Sequence, residues 1–423
     1  MVRRISIDHI TKIEGHARLH IKVDKGEIKK VSFDVFEGSR FFEGILKNKH
    51  FADVNHISSR ICGICSPVHG ITSVKATEKA FGIVPSEQTR ILRDLLNIGG
   101  TIQSHVVHLY FLTLPDYTGH SNAVEMAQTH PEHIKRALKL KQFGNDVVTV
   151  IGGRTIHPYT LTPGGFTRIP LEEDFKKLLK TAKSCLDDAR ATANLFCGLQ
   201  YPEFERRTRH FALKGRCYFC YDDIVKCTGS NECIAVPDYE AHFKEFFKQG
   251  STAEFAKSDE KSYMVGAWSR ILNNLDLLSK DSKEIVRSVI SRKYSPFMNN
   301  PAQAIEIFEG ITRIIDILES TEFHNEKPID VKPCAGTGIA ASEAPRGMVF
   351  HKYRYDNKGM TNFINITTPT TQNIPNLEED IRNFLPSVLN LPKEKLQLEV
   401  EKLIRAYDPC ISCATHFLKI IFD

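Results

Sequence analysis

The segments Arg60-Ile61-Cys62-Gly63-Ile64-Cys65 and Asp408-Pro409-Cys410-Ile411-Ser412-Cys413 lie near opposite ends of this 423-residue chain. Each carries a Cys-x-x-Cys pair, and each pair is followed by a histidine, His69 or His416. Two residues between the cysteines let both sulfurs reach one side of a turn and bind one soft metal ion. Four thiolates are enough for a nickel, zinc or iron–sulfur site. The two segments therefore predict a fold in which both ends of the chain meet at a metal centre.

Joining these distant pairs has a moderate free-energy cost. Loop closure over the chain between them costs roughly 5 kcal/mol by the logarithmic rule. A structural metal ion held by four thiolates contributes on the order of 10 kcal/mol or more. Because the contribution of the metal exceeds the cost of closure, the fold can close in this way, and we expect the site to assemble late in folding.

Composition favours a large soluble protein that works in the cytoplasm. The chain is 41% hydrophobic, enough to bury a large core without disulfide bonds. Its apolar runs are far shorter than the ~20 residues that span a bilayer, which predicts no membrane span. Residues 1–10, MVRRISIDHI, contain no apolar signal region, so we expect the cytoplasm unless a partner chain carries an export signal. Eleven cysteines in that compartment indicate metal binding or redox chemistry more often than structural disulfides.

The charge pattern argues against nucleic-acid binding. The net charge of +5 is small for this length, and basic and acidic residues are interspersed. No basic stripe with interleaved aromatic residues is present, as a nucleic-acid surface would require. We therefore expect partners that are proteins and small molecules.

Hydrophobic periodicity changes along the chain. Residues 17–23 and 31–35 alternate around a turn, which predicts a β-hairpin with one buried face. From about residue 70 the period becomes helical, with Ser86 as a predicted N-cap. The predicted helices cover roughly 86–109, 131–148, 171–196, 238–249, 264–280, 300–320 and 376–405. The predicted fold class is therefore α+β, mainly α with a small N-terminal antiparallel β region.

We divide the chain into four segments on this basis. Residues 1–50 form the β region, and residues 51–375 form a helical core that contains the first cysteine pair. Residues 376–416 contain a C-terminal helix and the second pair, and residues 417–423 form a mostly apolar tail.

The two cysteine motifs resemble the paired signatures of nickel–iron hydrogenase large subunits. The closest resemblance is to the cytoplasmic branch that couples H2 to NAD(P) or a similar carrier. It runs through most of the chain, and further matching segments are Lys12-Ile13-Glu14-Gly15-His16, Arg40-Phe41-Phe42-Glu43, Gly152-Gly153-Arg154, His157-Pro158, Pro163-Gly164-Gly165 and Ala344-Pro345-Arg346-Gly347. The resemblance implies the fold of that family and reversible oxidation of H2 to protons.

The resemblance also implies a bimetallic site. Cys62 and Cys410 would be terminal ligands of nickel, whereas Cys65 and Cys413 would bridge nickel to an iron that also carries CO and cyanide. Four thiolates bring four negative charges to two divalent cations, so such a site needs a dry and charge-compensated pocket.

Residues around the metals take their expected roles from the same resemblance. Arg346, anchored by Asp408, would compensate charge above the metals. Pro345 and Thr370 would line the cyanides, and His69 would donate a hydrogen bond to the sulfur of Cys65.

Proton transfer and a third metal are implied as well. Glu14 matches the gate glutamate of the family, beside Cys410. The thiolate is the better base for the proton of H2, because Arg346 would have to act from a neutral form that its pKa above 12 disfavours. Glu43 and His416 match the positions that hold a magnesium ion.

The implied partners lie outside this chain. Electrons would leave through a small subunit with iron–sulfur clusters, and then through diaphorase-type subunits that bind NAD(P) and flavin. This chain has no G-x-G-x-x-G motif after a strand, so a dinucleotide would bind elsewhere. A maturation endopeptidase would cut after His416 once nickel is loaded, which predicts that residues 417–423 are a precursor tail.

Some cysteines depart from the family pattern. Cys217, Cys220, Cys227 and Cys233 lie within one short segment and would hold zinc or an iron–sulfur cluster, or else remain scattered reduced thiols near a subunit contact. A further departure is Ser104, where many relatives carry an aspartate above the metals.

Two rival functions remain open at this point. The first is a non-catalytic subunit of a complex I-like assembly, a class that shares the fold but lacks the four thiolates. The second is a zinc-stabilised interaction protein without turnover. Nickel and iron together would support the enzyme, and zinc alone would support the interaction protein.

Overall fold

The structure is a computed structural model that describes residues 2–25, 27–230 and 233–416. Its helices are α1 (Phe42–Leu46), α2 (Phe51–Ser58), α3 (Ser66–Phe81), α4 (Glu87–Val107), α5 (Leu114–Thr118), α6 (Ala123–Thr129), α7 (Pro131–Gly152), α8 (Glu172–Cys197), α9 (Tyr239–His242), α10 (Ala267–Asn273), α11 (Lys280–Arg287), α12 (Asn299–Ser320), α13 (Pro369–Val388), α14 (Lys393–Ala406) and α15 (Ile411–Ala414). Its strands are β1 (Val2–Ile7), β2 (Ala17–Asp24), β3 (Glu27–Val35), β4 (Leu161–Thr162), β5 (Gly165–Phe166), β6 (Phe211–Cys217), β7 (Cys220–Cys227), β8 (Cys233–Ala235), β9 (Phe243–Phe247), β10 (Glu254–Ser258), β11 (Gly336–Ala344), β12 (Gly347–Tyr355) and β13 (Thr361–Thr367).

The long helices α4, α7, α8 and α12 pack together and form the main helical core. The predicted cap at the start of α4 is confirmed, because the Ser86 hydroxyl accepts a hydrogen bond from the Thr89 amide at 3.0 Å. Helices α4 and α7 cross in close contact where Gly99 faces Gly144. A Cβ on Gly144 would lie 2.9 Å from the Gly99 carbonyl oxygen, so only glycine permits this approach. At its C-terminal end α4 continues into a π-helical turn, His108–Thr113.

Small antiparallel sheets surround this core. The predicted N-terminal hairpin is confirmed as β2 and β3, and β1 adds a third strand against β2. A second sheet, β11–β12–β13, lies against α3, and a third has the order β6–β7–β8. The fold class is thus confirmed, and the structure adds sheets beyond residue 200 to the predicted N-terminal one.

Three predicted helices differ from the observed elements. The helix predicted at 238–249 is wrong beyond α9, because the aromatic-rich residues 243–247 pair as β9 with β10. The helix predicted at 264–280 shortens to α10. The helix predicted at 376–405 is two helices, α13 and α14, and Pro392 is the residue that precedes α14.

Both ends of the described chain converge on one region. Helix α3 begins directly after Cys65, and the short helix α15 begins directly after Cys410. Gly15, with φ +83°, lies so close to Ile411 that a Cβ there would be 2.6 Å from the Ile411 Cβ. The N-terminal loop therefore fixes the position of α15. Along the described ranges, no helix has the length and apolarity needed to cross a membrane.

The packing of β11 against α3 yields a stability prediction. A Cβ on Gly338 would lie 1.8 Å from the carbonyl oxygen of Ala76, in α3. We expect Gly338→Ala to destabilise the protein by about 3 kcal/mol, because neither backbone can yield without moving the helix that follows Cys65. Denaturant unfolding measures this change. Gly38→Ala is the matched control, since no atom lies within 4 Å of a Cβ there. Equal stability of the two variants would contradict the prediction.

Candidate metal centre

The first cysteine pair is held by a tight local turn. Residues Ser59–Ile61 form a 3-10 turn, after which Cys62 is extended and Cys65 directly precedes α3. The Cys62 sulfur accepts hydrogen bonds from the backbone amides of Ile64 and Cys65, each at 3.3 Å. Such donors stabilise a thiolate, so this turn prepares Cys62 to bind a cation.

The second pair sits on a similar turn at the other end of the chain. Asp408 adopts a left-handed backbone with φ 49°, which turns the chain after α14. The Cys410 amide then donates to the Thr370 hydroxyl at 2.9 Å. The sulfurs of Cys410 and Cys413 lie 2.9 Å apart. This pair is therefore compact, and its position relative to α13 is fixed through Thr370.

The two pairs meet in one buried pocket. Cys62 Sγ lies 3.5 Å from Cys410 Sγ, and Cys65 Sγ lies 3.4 Å from Cys413 Sγ. All four sulfurs are within 4.8 Å of one another, and each residue is at most 4% exposed. Metal–sulfur bonds of ~2.3 Å place tetrahedral ligands about 3.8 Å apart, so this cluster has the size of a metal site. The predicted meeting of the two motifs is confirmed.

Crowding of the thiols changes their acidity. Hydrogen bonds from Cys410, Cys413 and Cys65 lower the pKa of Cys62 well below its usual range. Hydrogen bonds from the other thiols, together with burial, raise the pKa of Cys410 well above its usual range. One thiolate thus forms readily, and the others retain their protons unless cations balance the added charge.

Arg346 is the cation that faces the sulfurs. Its guanidinium donates to the Asp408 side chain at 2.9 Å and to the Asp408 carbonyl at 2.8 Å. Ser104, which stands where an aspartate is common, accepts a weaker bond from Arg346 at 3.4 Å. Burial disfavours the charge, yet Asp408 and the nearby cysteines hold the pKa of Arg346 well above its usual range. Arg346 therefore acts as a fixed positive charge.

A buried network behind Arg346 escaped the sequence analysis. Arg270 is 1% exposed and donates to the carbonyl oxygens of Ala344 and Pro345 at 2.8 and 2.9 Å. It also pairs with Glu306 at 2.6 Å and with Glu343 at 3.1 Å. Burial opposes ionisation of Glu306, but Arg270 outweighs it and lowers the pKa of Glu306 to about 2. The network holds the segment that carries Arg346. A charged residue inside an apolar helical run, such as Glu306 in 302–311, was the signal available in the sequence.

Three further predicted residues lie at the pocket. Thr370 and Pro345 lie beside the second cysteine pair and beside Arg346 respectively. His69 differs in detail from the prediction. Its Nε2 lies 3.9 Å from the sulfur of Cys413, whereas we expected a bond to Cys65. The His69 Nδ1 lies 3.1 Å from His351 Nε2, and this second contact fixes the ring.

Glu14 lies beside the second cysteine pair. Its carboxylate accepts hydrogen bonds from the backbone amide of Ser412, at 2.9 Å, and from the Ser412 hydroxyl. Its backbone forms a parallel bridge with Cys410. Because Ser412 lies between Cys410 and Cys413 in the chain, the carboxylate is adjacent to the loop that presents both sulfurs.

Glu43 and His416 also come together. His416 Nε2 lies 3.7 Å from Glu43 Oε1, and it is also in hydrogen-bond contact with the carbonyl oxygen of Ile366. Burial raises the pKa of Glu43 to about 8, and the nearby carboxylate of Glu245 adds to the shift. A buried carboxylate, an imidazole and a carbonyl oxygen are suitable ligands for a divalent cation.

The second cysteine cluster does not form the predicted metal site. The structure joins Cys217 and Cys220 in a disulfide bond. Cys227 lies at the far end of β7, about 24 Å along the strand at its usual rise. Cys233 is exposed in β8. The expectation of zinc or an iron–sulfur cluster at these four cysteines is therefore wrong, because the hairpin keeps the third and fourth sulfurs away from the first two.

The predicted tail is the last of the sequence-based features. Residues 417–423 lie outside the described residues, which end at His416. The precursor interpretation of this segment therefore stays a prediction.

Four buried sulfurs that face one fixed cation define a thiolate metal centre of the kind that redox enzymes use. Residues 40–134 and 207–416 match the model of the nickel-dependent hydrogenase family, and residues 4–37 match a HoxL-like model. The chain belongs to the nickel-dependent hydrogenase family. It is the catalytic large subunit of a nickel–iron hydrogenase, and its four cysteines fit nickel and iron.

Similar proteins span the whole chain. The alpha subunit of sulfhydrogenase 1 from Pyrococcus furiosus is 37% identical over 98% of this chain and 98% of its own length. The large chain of the vhc F420-non-reducing hydrogenase from Methanococcus voltae is 27% identical over 98% of this chain and 95% of its own length. An NAD+-reducing nickel–iron hydrogenase shares the fold, with a TM-score of 0.87 at 22% identity over 98% of this chain and 99% of that one.

The four-sulfur pocket yields a metal-content prediction. We expect Cys413→Ser to lower H2 uptake at least about 100-fold and to deplete nickel and iron, because a hydroxyl is a poor ligand for soft metals. Metal analysis and H2 uptake of the purified protein measure both effects. Cys185→Ala, in the buried face of α8, is the control for loss of a cysteine elsewhere. Full nickel content with uptake within about tenfold of wild type would refute the ligand assignment.

Proposed function

We propose that this chain splits H2 heterolytically in the pocket of Cys62, Cys65, Cys410 and Cys413 and delivers the electrons to a partner subunit. The observation that carries this proposal is the convergence of four buried sulfurs beside Arg346. Nickel and iron bound there would supply the electron-accepting Lewis acid, with CO and cyanide as further ligands of the iron. Cys62 and Cys410 are the proposed terminal nickel ligands, and Cys65 and Cys413 are the proposed bridges.

The protein surroundings exclude water and fix the charge. Arg346 and its partner Asp408 supply a positive charge that needs no rearrangement during turnover. Pro345 and Thr370 are proposed to line the diatomic ligands, and the hydrogen bond from the Cys410 amide to Thr370 keeps that wall in place. His69 restrains the sulfur of Cys413.

The proton leaves on the side of Glu14. A thiolate of Cys410 accepts the proton from H2, because the guanidinium of Arg346 remains charged and has no free base form to offer. Glu14 is the next acceptor, since its carboxylate is held against Ser412 between the two cysteines of that pair. The same hydrogen bonds orient the carboxylate for transfer.

Glu43 and His416 are proposed to hold a magnesium ion, together with the carbonyl oxygen of Ile366. This ion would fix the C-terminal segment against β13, the strand that contains Ile366. We also keep the proposal that an endopeptidase cuts after His416.

The electron acceptor depends on partner subunits. An iron–sulfur small subunit is implied because the relatives are themselves named as subunits of larger hydrogenases. We propose NAD(P) as the acceptor, reached through diaphorase-type subunits in the cytoplasm. The name sulfhydrogenase, borne by a 37% identical relative, favours a sulfur compound as the second candidate. The relatives named F420-non-reducing argue against a deazaflavin.

One purification separates these candidates. The native complex should yield an iron–sulfur subunit by mass spectrometry and should reduce NAD+ or NADP+ with H2. Reduction of polysulfide but not of either nucleotide would replace the first acceptor by the second. The intact mass of the active chain also decides whether it ends at His416.

The position of Glu14 yields a kinetic prediction. We expect Glu14→Gln to slow H/D exchange between H2 and water by about 100-fold, because an amide keeps the shape but cannot relay a proton. Nickel and iron contents should stay unchanged. Glu27→Gln, on the exposed hairpin, is the matched control. Exchange at the wild-type rate in Glu14→Gln would refute the gate.

The Glu43 site yields a ligand prediction. We expect Mg2+ at about 100 times its Kd to stabilise the protein by about 2.7 kcal/mol. The effect should be larger at a pH above the raised pKa of Glu43, about 8, than below it, because Glu43 must lose its proton to bind the ion. Thermal unfolding on both sides of that pKa, with and without Mg2+, measures this. The effect should vanish in Glu43→Gln, and an unchanged Mg2+ effect in that variant would place the ion elsewhere.

A further inference from the structure

A disulfide joins Cys217 and Cys220 at the tip of the β6–β7 hairpin. Tyr218 and Phe219 form the turn between them, and the strand register pairs the two cysteines directly. Neither sulfur belongs to the group of four that forms the metal centre. The disulfide is therefore a separate feature that the proposed reaction does not use.

The bond contributes little as a covalent cross-link. It closes a loop with only two intervening residues, and the stabilisation from cross-linking grows with loop length. The hairpin already holds Cys217 opposite Cys220 through backbone pairing. A role in folding stability therefore does not explain this disulfide, and its chemistry is the better explanation.

A cation from another element lies against both sulfurs. Arg313, in α12, donates from Nη2 to the Cys217 sulfur at 3.4 Å and to the Cys220 sulfur at 3.6 Å. A guanidinium beside a cysteine stabilises the thiolate and makes it a better leaving group. Arg313 thus favours the reduced state of the pair over the disulfide.

The two sulfurs differ in access. Cys217 is half-buried, whereas Cys220 is buried and lines a cavity of about 350 Å³. Ser342, in the wall of this cavity, has a buried hydroxyl without a hydrogen-bond partner among the residues that the structure describes. An incoming thiol therefore reaches Cys217 first, and the cavity provides room and a polar contact beside Cys220.

We propose that Cys217 and Cys220 form a thiol–disulfide exchange site that accepts two electrons from a dithiol, with Arg313 as the positioning residue. A thiolate of the dithiol attacks the Cys217 sulfur, and the bond between Cys217 and Cys220 breaks. Cys220 leaves as a thiolate beside Arg313 and takes up a proton. The second thiol of the donor loses its proton and attacks the donor's own sulfur in the mixed disulfide. Cys217 leaves as a thiolate, takes up a proton, and the donor departs as its own disulfide.

The wild-type protein tests the exchange directly. The native complex is equilibrated in buffers of varied reduced-to-oxidised dithiothreitol ratio, and thiols are trapped by alkylation and mapped by peptide mass spectrometry. We expect Cys217 and Cys220 to convert together, as a two-electron couple, under conditions that leave buried Cys185 unlabelled. A pair that stays oxidised at every ratio, or stays reduced at every ratio, would overturn the proposal.

Substitution of Arg313 tests the role of its charge. We expect Arg313→Gln to shift the exchange equilibrium about tenfold toward the disulfide, which is about 30 mV for a two-electron couple. Arg313→Lys keeps the charge and should recover most of that shift, which a merely structural role would not predict. Identical equilibria in wild type, Arg313→Gln and Arg313→Lys would overturn the assignment of Arg313.

Discussion

Burial of four sulfurs in one pocket places the strongest constraint on this structure. Each thiolate that forms there adds a negative charge in a medium of low dielectric constant, and unpaired charge in such a place is very unfavourable. Two chain ends that are far apart in sequence must also arrive together, since Cys62 and Cys410 are 348 residues apart yet their sulfurs are 3.5 Å apart. The surrounding architecture can be understood as the means of meeting both demands.

The charge demand extends well beyond the metal ligands. Arg346 lies nearest to the sulfurs, and Arg270 holds the carbonyl groups of the preceding residues. Arg270 is itself buried, so Glu306 and Glu343 must balance it. Tyr218 donates to Glu306 at 2.7 Å, so this network reaches the turn between the two disulfide-bonded cysteines. Removal of one member leaves an uncompensated buried charge, a change that typically costs about 3–5 kcal/mol.

Local chemistry was readable in the sequence, and tertiary pairing was not. The two Cys-x-x-Cys motifs predicted their own meeting because ligand type and spacing are local properties. Ser86 and the 17–35 hairpin followed equally from local rules. Arg270 and Glu306 were missed because a sequence does not reveal which charged residues will be buried together. Residues 243–247 became a strand through pairing with β10. Cys217 and Cys220 have the spacing of metal ligands, and only the hairpin register indicates a disulfide instead.

The backbone at Asp408 has a consequence for how this site can change by mutation. Its φ of 49° lies in a region that aspartate and asparagine tolerate better than most residues, and its carboxylate is also the partner of Arg346. Conformation and charge are thus two independent requirements met by one side chain. A walk through single substitutions finds few neutral steps here, because most replacements violate both requirements at once. Asparagine separates them, so it is the natural intermediate through which laboratory evolution would have to pass at this position.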